Sequence, residues 1–213
     1  MLTAKNLSMV YPDGASKRVV FENLSLTVGP AERLAIIGPS GSGKSTLLYL
    51  LSGLRRPTAG QVFLDEREIT AMEDSSEIRM KNFGFVFQQH YLIPYLSVLK
   101  NVLVGLPEKP GKPQVDKAME LLDELELSGE ADKLPHQLSG GQKQRAAIAR
   151  ALINKPRIIF ADEPTASLDR ETASEVMHIL RRQKDVALIY NTHDLSLIEP
   201  TDHIFEMRKM TIK

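Results

Sequence analysis

The sequence predicts an α/β fold, in which buried strands alternate with helices and polar residues lie at the strand ends. Two observations predict it. Apolar runs of strand length recur at residues 33–37, 83–87, 158–162 and 186–191, and polar residues follow each of them. Helical patterns lie between these runs, and a glycine-rich loop connects the first run to a helix.

Length and composition indicate one ordinary globular domain, or one domain that carries a subdomain. The chain has 213 residues, of which 42% are hydrophobic and 25% charged, and these values exclude a disordered or fibrous protein. The net charge of +0 gives no general attraction to nucleic acid, so no nucleic-acid partner is expected. The lack of cysteine excludes disulfides and cysteine metal sites. No apolar stretch approaches the roughly 20 residues that span a bilayer, and no signal-peptide pattern begins the chain, which predicts a cytoplasmic protein.

The N-terminal part predicts a small antiparallel sheet. Residues 2–37 alternate in the manner of β-structure, with polar turns at Pro12-Asp13-Gly14 and Gly29-Pro30. Tyr11 stands just before the first turn. Its ring could stack on an adenine, or it could cap the edge of the sheet, and the sequence leaves both interpretations open.

The glycine-rich loop after residue 37 fits the phosphate-binding pattern G-x-x-x-x-G-K-[ST]. The loop consists of Gly38, Pro39, Ser40, Gly41, Ser42, Gly43, Lys44, Ser45 and Thr46. Its glycines let several backbone N–H groups point at one anion, and the helix that follows adds its positive end. We expect Lys44 to reach the β- and γ-phosphates of a nucleotide and Ser45 to bind Mg²⁺.

The middle of the chain predicts a change from strands to helices. The strand at 83–87 ends in Gln88-Gln89, where a glutamine amide could approach Mg²⁺ or simply end the strand. A helix is predicted from Pro113 to Ser128-Gly129, with an apolar stripe that packs in a core. The aromatic segment Tyr91–Leu96 could form a docking surface or be buried, and both readings stay open.

A second glycine-containing segment precedes another helix. Ser139, Gly140, Gly141 and Gln142 open a strong helix that ends before Pro156. A helix N-terminus with open N–H groups can bind an anion, whereas Ser139 can equally act as an ordinary N-cap.

Polar residues end the last two predicted strands. Asp162 and Glu163 follow the strand at 158–162, and because neighbouring strand residues point to opposite sides, Asp162 would face Mg²⁺ and Glu163 a water. Asp169 is a predicted helix N-cap. His193 follows the strand at 186–191, at the edge where open α/β sheets bind ligands.

Together these motifs resemble the nucleotide-binding domain of an ABC transporter ATPase. The motifs that carry the resemblance are GPSGSGKST at 38–46, Gln88, LSGGQ at 138–142, IIFADE at 158–163, Ser167-Leu168-Asp169 and His193. The resemblance covers essentially the whole chain and implies a single domain over residues 1–213. It implies a RecA-like P-loop NTPase core, an N-terminal antiparallel β subdomain, and an inserted α-helical subdomain at roughly residues 89–155.

The resemblance also implies a role for each motif residue. The implied roles are the Walker A loop at Gly38–Thr46, the Q-loop glutamine at Gln88 as a ligand of Mg²⁺, the Walker B aspartate at Asp162, the catalytic glutamate at Glu163, the D-loop at Ser167–Asp169, the switch histidine at His193 and the adenine-stacking ring at Tyr11. Lys44, Gln88 and His193 are expected among the catalytic residues as well. Gln88 is preferred to Gln89 because the family pattern resembles Val86-Phe87-Gln88.

The same resemblance implies how the protein works. Two copies would pack head to tail with ATP between them, so that Ser139 to Gln142 and Asp169 of one chain complete the site of the other. A separate transmembrane permease would dock near residues 90–106 and place the chain at the cytoplasmic face of the membrane. Residues 85–94 and 99–102 are similar to the lipoprotein-release and macrolide-export branch.

Two other functions explain the sequence less well. A soluble ABC ATPase of DNA repair or translation would need a long coiled-coil insertion or a tandem second domain. A P-loop kinase would leave LSGGQ at 138–142 unexplained.

Overall fold

The computed structural model describes residues 1–14 and 16–208 and contains two sheets. The strands are β1 (Leu2–Asp13), β2 (Ser16–Val28), β3 (Arg33–Ile37), β4 (Ala59–Leu64), β5 (Arg67–Glu68), β6 (Phe83–Phe87), β7 (Ile158–Asp162), β8 (Ala187–Asn191) and β9 (His203–Glu206). The helices are α1 (Lys44–Leu51), α2 (Ser76–Asn82), α3 (Val98–Leu103), α4 (Lys112–Glu124), α5 (Gly140–Leu152) and α6 (Arg170–Arg181), with short 3-10 turns at Ser128–Glu130, Pro135–Gln137 and Leu195–Leu197.

The two sheets have different topologies. The N-terminal sheet is antiparallel, as the sequence predicts, and its strand order is β2-β1-β4-β5. The second sheet is parallel, with the order β6-β7-β8-β3-β9. The carboxyl ends of its strands therefore lie along one edge, where α/β proteins bind their ligands.

The central strands of the parallel sheet are buried on both faces. In β7, Ile159 and Ala161 pack into one core together with the helices α3 to α6, whereas Ile158 and Phe160 pack into another with α1 and the antiparallel sheet. Continuous apolar strands are the pattern expected of a parallel sheet that is covered on both sides. These two cores hold the carboxyl ends of β3, β7 and β8 in fixed positions.

The helical region differs in detail from the prediction. The helix expected to end at Ser128-Gly129 ends at Glu124, because Glu126 has a left-handed backbone (φ 56°) that cannot continue an α-helix. The two edge elements β5 and β9 are also absent from the prediction, since both are short. The five C-terminal residues of the chain lie outside the described residues.

A buried ion pair fixes the segment that follows β8. The Arg181 guanidinium contacts the Asp202 carboxylate at 2.8 Å, and the Tyr190 hydroxyl donates to the same oxygen at 2.7 Å. Burial and the neighbouring Asp202 carboxylate raise the pKa of Tyr190, so its hydroxyl stays protonated. Arg181 lies in the last turn of α6, where it is buried and paired with Asp202.

Candidate active site

The phosphate-binding loop has the shape that its glycines allow. Gly38 and Gly43 take φ angles of 146° and 96°, which residues with a side chain rarely adopt. A Cβ atom on Gly43 would lie 2.3 Å from Val20 Cγ1, and one on Gly38 would lie 2.4 Å from the carbonyl oxygen of Met207. Both positions therefore require glycine for conformation and for space.

The loop and α1 form an anion site. The first-turn N–H groups of α1, at Lys44, Ser45 and Thr46, have no acceptor within the helix. The Lys44 ammonium donates to the carbonyl oxygens of Gly38 at 2.9 Å and Pro39 at 3.3 Å, so the backbone of the loop holds this cation in place. A cation and a helix N-terminus together stabilise bound phosphate.

Asp162 lies directly beside Ser45. Its Oδ1 accepts a hydrogen bond from the Ser45 hydroxyl at 2.7 Å, and its Oδ2 accepts one from the Tyr49 hydroxyl at 2.5 Å. Burial and the Asp162 carboxylate raise the pKa of Tyr49, which keeps it a donor. A hydroxyl and a carboxylate in contact are the oxygen donors that Mg²⁺ prefers, so these residues fit the ion expected from the sequence.

The Glu163 carboxylate has different partners from Asp162, but for a different reason than the sequence suggests. The strand ends at Asp162, and Glu163 takes a left-handed backbone conformation with φ 48°. A backbone turn, and not strand alternation, thus separates the two carboxylates. Glu163 Oε2 lies 2.7 Å from His193 Nδ1, and the Glu163 side chain is 16% exposed against 66% for His193.

Most of the predicted site residues line a cavity of about 550 Å³. Its lining consists of Tyr11, Arg18, Val20, Ser40, Gly41, Gly43, Lys44, Ser45, Thr46, Gln88, Glu163 and His193. The volume lies in the usual range for small-molecule sites. Of the two neighbouring glutamines, Gln88 lines the cavity, as the preferred register requires.

Tyr11 stands at one side of this cavity. The Arg55 guanidinium lies 5.3 Å from the centre of its ring and donates to its hydroxyl. Arg18 is its partner across the β1–β2 pair and also lines the cavity. The stacking role of Tyr11 remains a prediction, and its position in the cavity wall agrees with it.

The Ser139 segment does not belong to this cavity. Ser139 caps α5: its hydroxyl accepts from the Gln142 N–H at 3.2 Å, and the Gln142 side chain accepts from the Ser139 N–H at 2.9 Å. A Cβ on Gly141 would lie 2.7 Å from Thr172 Cγ2, so this glycine allows α5 to pack closely on α6. Asp169 caps α6 by accepting from the Thr172 N–H at 3.0 Å. Both N-cap interpretations are confirmed.

Three polar residues of the site were missed by sequence reasoning. They are Arg18 and Tyr49, described above, and Asn191, the last residue of β8. Arg18 and Tyr49 belong to no motif. The sequence does indicate Asn191, because it is a polar residue at the end of an apolar strand, as Asp162 is on its own strand.

Comparison with known proteins identifies the family. The sequence profile of the ABC transporter family matches residues 21–166. The chain belongs to this family. It is 40% identical to the lipoprotein-releasing system ATP-binding protein LolD of Wigglesworthia glossinidia brevipalpis, over 98% of this chain and 94% of the relative. It is 41% identical to LolD of Hydrogenovibrio crunogenus, over 97% and 93% of the two chains.

Solved ABC structures agree with this assignment. The dimeric structure of MJ0796, a bacterial ABC transporter cassette, matches with a TM-score of 0.89 and 36% identity, over 98% of this chain and 94% of the other. The post-hydrolysis dimer of MJ0796 bound to ADP and Pi matches with a TM-score of 0.89 and 35% identity, over 99% and 97%. The chain is an ABC ATPase, and the predicted fold class and the resemblance to the lipoprotein-release branch are confirmed.

The loop geometry predicts the effect of one substitution. Gly43→Ala would add a side chain at φ 96° and within 2.3 Å of Val20 Cγ1. The backbone strain costs about 1–3 kcal/mol, and the overlap of the new side chain with Val20 adds to it. Because the loop would have to shift, ATP binding should weaken about tenfold or more. Titration with a fluorescent ATP analogue measures this. Gly129→Ala is the control, because no other heavy atom lies within 4 Å of its added Cβ; equal affinities for the two variants would contradict the account.

Proposed function

We propose that this ABC ATPase hydrolyses ATP in a homodimer whose two sites each use residues from both chains. The supporting observation is the separation of two anion-binding segments. Lys44 and the P-loop line the nucleotide cavity, whereas Ser139 and the start of α5 are exposed and lie outside it. A second chain, packed head to tail, would bring its Ser139 to Gln142 and its Asp169 against the γ-phosphate held by Lys44. MJ0796, the related cassette, is a dimer.

Within each site, Glu163 would activate the attacking water. Its carboxylate is largely shielded from solvent and contacts His193 Nδ1 at 2.7 Å. Because a carboxylate accepts hydrogen bonds, His193 Nδ1–H would donate to Glu163 in this contact, and the ring would need a second proton on Nε2 to donate to the γ-phosphate. Glu163 would accept a proton from the water while the water oxygen bonds to the γ-phosphorus. The bond between the γ-phosphorus and the oxygen that joins it to ADP would then break.

Ser45 and Asp162 would hold Mg²⁺, with Gln88 nearby in the cavity wall, and the ion would neutralise charge on the β- and γ-phosphates. Lys44 would stabilise the same charge from the P-loop side. Tyr11 would stack on the adenine, and the remaining loop N–H groups would bind the phosphates. Loss of the γ-phosphate removes the bridge between the chains, so hydrolysis would reopen the dimer.

The chain would drive a separate transmembrane protein. No helix in the described ranges 1–14 and 16–208 is long and apolar enough to cross a membrane. A second cavity, of about 460 Å³, lies between β6 and the region of α3 and α5. Tyr91 and Val104 line it and are 62% and 51% exposed, and Tyr95, which follows Tyr91 along the chain, is 78% exposed. We infer that this cleft receives the membrane partner at the cytoplasmic face. The LolD relatives favour a lipoprotein-releasing type of transporter.

Replacement of the catalytic carboxylate tests the dimer. Glu163→Gln should lower ATP hydrolysis by about 100-fold or more, because an amide cannot accept the proton. ATP would then persist between the chains, and size-exclusion chromatography should show a dimer that forms only with ATP.

Glu120→Gln, an exposed change on α4, is the control and should hydrolyse ATP at the wild-type rate. A Glu163→Gln protein that stays monomeric with ATP, even with the membrane partner added, would count against the dimer mechanism.

A charge in the cleft tests the docking site. Val104→Asp would place a carboxylate in a largely apolar cleft and should move the chain from the membrane pellet to the soluble fraction when cells of the source organism are fractionated. Ile204→Asp introduces the same carboxylate at a residue that is 57% exposed on the edge strand β9. This variant should remain in the pellet. Equal sedimentation of the two variants would refute docking at this cleft.

A further inference from the structure

We propose that Asn191 is a positioning residue for ATP hydrolysis, which holds the Glu163 backbone in a fixed place relative to Asp162 and Ser45. Asn191 ends β8, and its side chain is completely buried. A buried amide is costly unless its donors and its acceptor are all used. The inference rests on the catalytic role proposed for Glu163.

The register of the parallel sheet brings Asn191 to this place. Asn191 is paired with Asp162 in the β7–β8 ladder and with Ile36 in the β3–β8 ladder. It therefore lies between the strand that leads into the P-loop and the strand that delivers Asp162 and Glu163. Two residues further along the chain is His193, which contacts Glu163.

The Asn191 amide joins the three segments through hydrogen bonds. Its Nδ2 donates to Asp162 Oδ1 at 2.7 Å and to Ser45 Oγ at 3.3 Å. Its Oδ1 accepts from the backbone N–H of Glu163 at 2.6 Å. The amide nitrogen and the amide oxygen thus both have partners, and each partner belongs to the nucleotide site.

The chemistry of these partners fixes the orientation of the amide. A backbone N–H can only donate and a carboxylate can only accept, so rotating the amide by 180° would place N–H against N–H and oxygen against oxygen. The other carboxylate oxygen, Asp162 Oδ2, is already bonded to the Tyr49 hydroxyl. Asp162 therefore cannot turn to replace a lost Asn191 donor without giving up Tyr49.

The bond to the Glu163 N–H matters because Glu163 has an unfavourable backbone. A φ of 48° in a residue with a side chain persists only where the surrounding structure holds it. Asn191 Oδ1 holds the peptide unit that leads into Glu163, because it accepts a hydrogen bond from the Glu163 N–H. The Glu163 side chain is attached at this turn, so a shift of the turn would move the Glu163 carboxylate relative to the attacking water and His193.

Asn191→Leu tests the proposal, because it keeps the approximate size of the side chain and removes all three hydrogen bonds. We expect kcat to fall by about tenfold or more, since a displacement of about 1 Å in a catalytic group can cost on the order of 100-fold. The dissociation constant of ATP, measured with a fluorescent analogue in the absence of Mg²⁺, should change by less than about threefold. If the leucine variant does not fold, Asn191→Ser serves, because a hydroxyl is too short to reach both Glu163 and Asp162.

A double-mutant cycle with Glu163→Gln separates positioning from general stability. If Asn191 acts through Glu163, Asn191→Leu should cause no further loss in the Glu163→Gln background. Tyr190→Phe is the control on the same strand: it removes a buried hydrogen bond to Asp202 and should lower the melting temperature but leave kcat and ATP affinity unchanged.

An equal loss of kcat in both backgrounds, or a parallel loss of ATP affinity, would overturn the role of Asn191. Wild-type hydrolysis by Glu163→Gln alone would instead overturn the role of Glu163, so the two failures are distinguishable.

Discussion

The hydrogen bonds that converge on the Asp162 carboxylate are the interaction on which the nucleotide site depends. Ser45 and Tyr49 donate to it from α1, and Asn191 donates from β8. These donors meet Asp162 because the parallel sheet aligns the carboxyl ends of β3, β7 and β8 at one edge. The two buried cores keep that alignment rigid, so the P-loop, the acidic residues and His193 have fixed relative positions.

The parts of the site that a local motif encodes could be predicted from the sequence. The P-loop glycines, Lys44 and the N-caps Ser139 and Asp169 follow from a few neighbouring residues and from backbone chemistry. The roles of Tyr49 and Asn191 depend on which strands are neighbours and in what register, and one sequence does not contain that information. The turn at Glu163 could not be predicted either, because its φ of 48° opposes local preference and tertiary contacts hold it.

The geometry of the single chain also explains why it would act as a pair. Its nucleotide cavity contains the Tyr11 ring, a phosphate loop and the Glu163–His193 contact. The exposed start of α5 offers a second helix N-terminus for phosphate, but on another part of the surface. In the proposed mechanism ATP joins these two surfaces, and the cleft beside β6 transmits the resulting motion to the membrane partner.

The most direct measurement of this account is cross-linking between the P-loop of one chain and the α5 N-terminus of another. The chain has no cysteine, so single cysteines at exposed positions report unambiguously. Two Glu163→Gln proteins, one carrying Ser40→Cys and the other Ser139→Cys, would be mixed and treated with a short bismaleimide. The account predicts a cross-linked heterodimer that requires ATP. A mixture that gives no cross-link with ATP, or the same cross-link without it, would contradict the two-chain site.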